Sequence, residues 1–352
     1  MNNPYRTLPP RAFWRSAVAG RAPQAFGELW SPKFPIGKAD AIVTAGSCFA
    51  QHISRALVNR GMHWVDAEPA PQDMAPAEQR ERGYGVFSFR TGNIYTARML
   101  CQWLDWALGG MPMPEESWAE NGRVFDPFRP AIEPAGFATV EEMQSSRLAT
   151  CRAMADALSR ARCLVFTLGL TESWENRPGG YVYPLCPGTA HGVFDPDAHR
   201  FRNQTFNEVY QDLVAAIERI RAVNPGIRVL LTVSPVPLTA TAGGDHVLPA
   251  TLYSKSVLRA VAGQLAAERE DVDYFPSYEI ISAFPSGTAF YEPNLRSVTA
   301  AGVALAMRHF FDGISDGSSA HAPADAPALP AIAPLDDLVC EDFILDYYRQ
   351  QP

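Results

Sequence analysis

Two adjacent side chains capable of nucleophilic attack, Ser47 and Cys48, follow Gly46 at the end of a short apolar run over residues 40–46. A helical pattern begins at once after them. Phe49, Ile53, Ala56 and Leu57 fall on one face of a segment spanning residues 49–60, and Gly61 supplies a stop. A strand that turns straight into a helix exposes the side chains of the turn and aims backbone N–H groups at whatever binds there. An anion or a developing oxyanion is stabilised at such a point, and a thiol there has its thiolate favoured. A purely structural alternative makes Ser47 the helix N-cap and Cys48 a small core residue.

The elements that would position this turn are legible from their periods. Residues 164–168, 227–236 and 272–275 are apolar, rich in β-branched or aromatic residues, and each follows a helix-period segment: 140–161, 206–223 and 248–268. A last helix over 300–311 follows the turn at Pro293. Strands alternating with helices predict an α/β domain with a central parallel sheet and helices on both faces. Ligands of such sheets sit beyond the carboxyl ends of the strands. Residues 65–140, with Trp103, Trp106 and Trp118, break the alternation and read as an insertion that roofs the site. Residues 1–38 read as an irregular arm packed on the domain, which as a whole spans 1–312. Residues 313–334 have linker composition. The tail 335–352 regains apolar residues and is expected to dock on its own domain or on a second copy.

The bulk numbers narrow the class. The chain has 352 residues, enough for one large domain with a real core, and 47% hydrophobic with 19% charged residues is ordinary for a globular enzyme. A net charge of -8 with no basic stretch speaks against nucleic acid as a partner. Residues 1–10 are polar and lack a signal-peptide core, and no apolar run reaches about 18 residues, so no membrane partner is expected. The six cysteines, Cys48, Cys101, Cys151, Cys163, Cys186 and Cys340, show no metal-ligand spacing. A bacterial, cytoplasmic protein with free thiols is the expectation.

The stretch Thr44-Ala45-Gly46-Ser47-Cys48-Phe49-Ala50-Gln51 carries the GSCFA string. Gly92-Asn93-Ile94-Tyr95-Thr96, Thr167-Leu168-Gly169-Leu170-Thr171-Glu172, Thr232-Val233-Ser234-Pro235-Val236-Pro237 and Phe275-Pro276-Ser277-Tyr278-Glu279 accompany it. Together they resemble the GSCFA-domain family over about residues 40–310. That family is similar to the SGNH/GDSL hydrolases, which cleave or transfer acyl groups. The resemblance implies their flavodoxin-like, three-layer fold more firmly than any substrate.

What the resemblance implies for individual residues follows block by block. SGNH enzymes begin with Gly-Asp-Ser. Without a gap Cys48 takes the nucleophile's place, and with a one-residue shift Ser47 does. Gly92 and Asn93 correspond to the glycine that helps form the oxyanion hole. Gly169-Leu170-Thr171 corresponds to a Gly-x-Asn block, with the threonine hydroxyl as a replacement donor. Glu172 follows, where a carboxylate would orient a base. Tight-turn geometry is the plainer account of Gly92 and Gly169. The last SGNH block, Asp-x-x-His, falls on Asn294-Leu295-Arg296-Ser297, which cannot transfer protons at neutral pH. Of the seven histidines, His52, His63, His191, His199, His309 and His321 read as packing, surface or linker residues. His246 lies beside Asp245 in the Gly-Gly loop after the strand at 227–236, and is the candidate base.

Two functions remain open. One is an acyl-ester hydrolase or acyltransferase that needs no cofactor, acting on a small molecule or, by analogy with SGNH relatives, on an acylated glycan. The other is a binding protein that has lost the Asp-x-x-His pair, with a pocket under Trp103 and Trp106.

Overall fold

Unbroken buried runs make the central strands. No residue of Ile42–Gly46 or Cys163–Leu168 is exposed on either face, as expected of parallel strands covered on both sides. The computed structural model describes residues 3–314, which divide into a larger unit, 37–274, and a smaller one, 3–36 with 275–314. In chain order the elements are β1 (Ile42–Gly46), α1 (Ala50–Asn59), α2 (Pro76–Glu81), α3 (Ala97–Ala107), β2 (Trp118–Glu120), β3 (Arg123–Phe125), α4 (Val140–Arg160), β4 (Cys163–Leu168), β5 (Glu172–Asn176), β6 (Val182–Tyr183), β7 (His199–Asn203), α5 (Phe206–Val223), β8 (Arg228–Val233), α6 (Val247–Glu268), β9 (Val272–Phe275), α7 (Ser277–Ser282) and α8 (Ala300–Ile314).

The central sheet runs β1-β4-β8-β9. β4 pairs in parallel with β1 on one side and β8 on the other. β1 has a further neighbour: Ile42 bridges Trp64 in parallel, with Ile42 N donating to His63 O and Val65 N to Ile42 O, both at 2.9 Å. Counting that bridge, the chain winds one way from β1 through α1 and the other way through β4, β8 and β9. Parallel crossovers are right-handed, so this reversal assigns α1 to one face of the sheet and α5 and α6 to the other. The expected α/β architecture with a parallel sheet is therefore present, and its switch point lies at the carboxyl ends of β1 and β4.

Most predicted helices match to within a residue or so, and several open on a clear side-chain cap. The Thr139 side chain accepts from Glu142 N, and Thr205 forms a reciprocal capping box with Glu208. β8 stops at Val233, short of residue 236, where Pro235 and Pro237 remove ladder donors. α8 continues through Gly313 to Ile314. The expected linker and tail otherwise lie outside the described residues.

The expected roof is different in kind. Within 65–140, α3 packs against α4 and α5 as a layer helix. Trp103 is 0% exposed, with its ring 5.3 Å from Trp106, which in turn stands 4.7 Å from Phe128. Trp103 is thus core and Trp106 half-buried beside it. A two-residue turn at Asn121-Gly122, both at positive φ (50° and 74°), joins β2 to β3. Beneath it Asp126 pairs with Arg129 at 2.8 Å and Arg147 at 2.9 Å, all three side chains buried. A small antiparallel sheet, β6-β5-β7, grows from the end of β4 and was not anticipated.

In the smaller unit, Pro4, Pro10 and Pro23 open single 3-10 turns. Trp30 packs on Phe275 and Phe310, with centroids at 5.1 and 5.7 Å. The arm is thus tied to α8 by aromatic contacts.

Candidate active site

Three parallel strands end side by side. Gly46 pairs with Thr167, and Leu168 with Val233. The ladder continues one step into the loops: Ser47 N donates to Thr167 O at 3.0 Å, and Ser234 N to Leu168 O at 2.8 Å. Gly46 has φ +133°, and a Cβ there would stand 2.4 Å from Thr167 O, so only glycine lets the chain turn this close to β4. The Gly46 carbonyl accepts from Ile94 N at 2.9 Å. That bond brings Gly92, at φ 68°, and the buried Asn93 beside the turn.

Ser47 does not cap α1; the N-cap position is Phe49, with no side-chain bond. Ser47 is 3% exposed, and its Oγ has no hydrogen-bond partner among the described residues. A buried hydroxyl left unsatisfied costs stability unless the site uses it. Gly169 packs against Ser47: a Cβ there would lie 2.8 Å from Ser47 Cβ and 3.4 Å from Oγ. Gly169 N and Leu170 N both donate to Tyr95 O, at 3.1 and 2.9 Å. The Gly169 N–H is therefore committed, and what the glycine supplies is room. Cys48 is buried beside Ser47, and its carbonyl accepts from Gln51 N.

The Thr171 hydroxyl is committed as well. It donates to Asn203 Oδ1 at 2.7 Å, which leaves the Asn203 amide nitrogen pointing elsewhere. Thr171 N donates to Ser254 Oγ at 3.0 Å, and Lys255 Nζ donates to Gly169 O at 2.7 Å. Consecutive residues of α6 thus clasp the turn after β4. Lys255 is 0% exposed.

Glu172 accepts from Thr241 Oγ1 at 2.7 Å, which ties the loop before α6 to β5. Burial raises the Glu172 carboxyl above its usual range, the Thr241 bond opposes this, and Asp245 adds to the rise. Trp174, two residues on, meets Phe194 and Phe201 edge-on at 5.3 and 5.8 Å. These three rings are half-buried or exposed.

His246 caps α6: its Nδ1 accepts from Leu248 N at 3.1 Å, and the residue is exposed. It makes no hydrogen bond to Ser47. His52 is buried on α1, where burial first and Arg55 second lower its pKa to about 3. His191 pairs with Glu120 and stacks on Phe125, and His199 accepts from Asp195 N. Among the described residues no group of His, Cys, Asp and Glu could hold a metal, and no helix is long and apolar enough to cross a membrane. Asn294 belongs to the smaller unit, where its Oδ1 accepts from Arg296 N and Ser297 N and its Nδ2 donates to Ser297 Oγ, a self-contained turn. His321 and Cys340 lie outside the described residues.

Ser47, Asn93, Gly169 and Thr171 are therefore joined by contacts at one sheet end, with Glu172 beside them. His246 stands on the neighbouring loop and is not bonded to the serine. Reading the sequence missed Asn203, Ser254 and Lys255. Asn203 carries no local signal. Lys255 does: it falls on the apolar stripe of Thr251, Leu258, Ala262 and Leu265, where a charge needs an explanation.

A family model, the GSCFA family, matches residues 41–310 of the chain. No curated protein matches it.

Proposed function

The chain belongs to the GSCFA family, and from that premise we propose that it is an SGNH-type acyl-ester hydrolase or acyltransferase with Ser47 as nucleophile. The observation that carries this reading is the buried, unpartnered Ser47 Oγ against Gly169, at the switch point of a doubly wound sheet. The winding from the Trp64 bridge through β1, β4, β8 and β9 is the flavodoxin-like order, which supports an SGNH-like fold. Asn203, held by Thr171, offers an amide where SGNH enzymes use an asparagine, and Asn93 flanks the other side of the turn. The aromatic cluster Trp174, Phe194 and Phe201 beside Glu172 supports a substrate with an apolar ring face, such as an acylated sugar.

The rival reading, a binding protein without turnover, is favoured by one fact: among the described residues no histidine is bonded to the serine. An acyl-ester panel on the wild type, S47A and C48A, run beside a fluorophosphonate probe, separates the two. Hydrolysis and labelling lost in S47A but kept in C48A support the proposal. Loss confined to C48A moves the nucleophile to the thiol, and a folded wild type inert to both assays leaves the binding reading.

A further inference from the structure

A serine nucleophile needs a proton acceptor, and among the described residues no histidine is bonded to Ser47. A basic side chain that does reach the turn is Lys255. Its Nζ bonds the Gly169 carbonyl at 2.7 Å, and Gly169 is the residue pressed against Ser47. The amine and the hydroxyl thus meet the same glycine, and no direct hydrogen bond joins them. Ser254, next in the chain, bonds Thr171 N at 3.0 Å, so the placement of α6 against this turn is fixed at two successive side chains. A solvated lysine is a poor base at neutral pH. A fully buried one has its neutral form favoured, which is how lysines come to act as bases.

Resting on Ser47 as the nucleophile, we infer that Lys255 is the general base of this site, in a serine–lysine arrangement that takes the place of the absent Asp-x-x-His pair. In the first step the neutral amine takes the proton from Ser47 Oγ as that oxygen bonds the acyl carbon. The ammonium then returns the proton to the departing alkoxide as the ester C–O bond breaks, leaving an acyl-serine, an alcohol and a neutral amine. Water, or an acceptor alcohol, repeats the sequence in reverse roles. The Gly169 carbonyl accepts an amine hydrogen throughout and holds the amine at this turn.

The test uses a fluorophosphonate on the full chain, in which serine attack on phosphorus expels fluoride and the same base takes the proton. K255R keeps a donor for the Gly169 carbonyl but cannot act as a base near neutral pH, and K255M removes both functions. A general base predicts labelling of Ser47 at least about 100-fold slower in both variants, with circular dichroism unchanged. It also predicts a wild-type rate that rises with pH to a plateau, a rise that K255R lacks. Labelling of K255R within about 3-fold of the wild type would reduce Lys255 to a structural anchor and overturn the inference. Should neither lysine variant fold, H246Q decides: an unchanged rate is expected, and a loss of about 100-fold would return the role to the imidazole. A wild type that labels at Ser47 while K255R matches it defeats only this inference, whereas a wild type unlabelled at Ser47 defeats the nucleophile itself.

Discussion

A methyl group added at Gly169 would stand 2.8 Å from Ser47 Cβ and 3.1 Å from Tyr95 O, nearer than such atoms pack. Either Ser47 or the 92–96 segment must shift. G169A is therefore expected to lower fluorophosphonate labelling of Ser47 by about 100-fold, the scale on which roughly 1 Å of misplacement acts. Retained labelling would show that the contact does not set the serine's position. The cysteines make a second residue-scale comparison. Burial raises Cys101 and Cys163 to about 12, with Asp212 adding to Cys101 and Asp40 to Cys163, and raises Cys151 and Cys186 to about 11. None of these four should be alkylated quickly by iodoacetamide at neutral pH, and peptide mapping would show it. Rapid modification at Cys163 would mean that β4 opens to solvent. Local pattern identified the Gly46-Ser47 turn because strand, glycine and helix are contiguous there. It could not identify Asn203 or Lys255, which reach the turn from 32 residues beyond Thr171 and 86 beyond Gly169. It favoured His246 because a loop after a strand faces the site, without revealing that the imidazole is used as a helix cap.

Elements carried by strong periods and caps were readable, and those made by cross-strand pairing were not. β1, β4, β8 and α4 to α6 each bury a continuous face or stripe, which leaves a period in the sequence. β5 and β7 are short, polar and charged, and are held by pairing to each other, so their signal lies in a partner distant in the chain. α3 was obscured because it is buried over most of its length, Gln102 and Asp105 included, packed against two other helices, and its tryptophans suggested a surface. The sheet β6-β5-β7 bears on the site through Glu172, through the Trp174 and Phe201 rings, and through the 2.7 Å link from Thr171 to Asn203. T171V preserves shape and removes that link. Asn203 is exposed, so water replaces the lost partner and the stability change should stay near 1 kcal/mol. Labelling of Ser47 should fall about 10-fold, because an unanchored amide is a weaker oxyanion donor. An unchanged rate with an unchanged melting temperature would remove Asn203 from the site.

Across the molecule, the response to acid divides between a buried histidine and a buried carboxylate. Asp126 is desolvated, which by itself raises its pKa, but Arg129 and Arg147 outweigh burial and hold it below the usual carboxylate range. Its share of stability is present above about pH 3.9 and is lost only as pH falls through its lower folded value. His52 acts earlier. Its pKa is lowered from 6.5 to about 3, by burial first and Arg55 second. The folded protein keeps it neutral while the unfolded chain takes up a proton below pH 6.5. The unfolded state therefore gains with falling pH, and the loss runs at up to about 1.4 kcal/mol per pH unit between those two values. His309, also lowered by burial, adds in the same direction, while Glu172 and Asp212, raised by burial, offset part of the loss. Those groups are common to a wild type and an H52L variant, so the difference between the two isolates His52. Relative to the wild type, H52L should be about 2 kcal/mol more stable at about pH 5 than at about pH 7.5, as read from urea unfolding midpoints at each pH. A difference that stays constant across this range would mean that His52 is protonated in the folded state, and that α1 does not seal it from water.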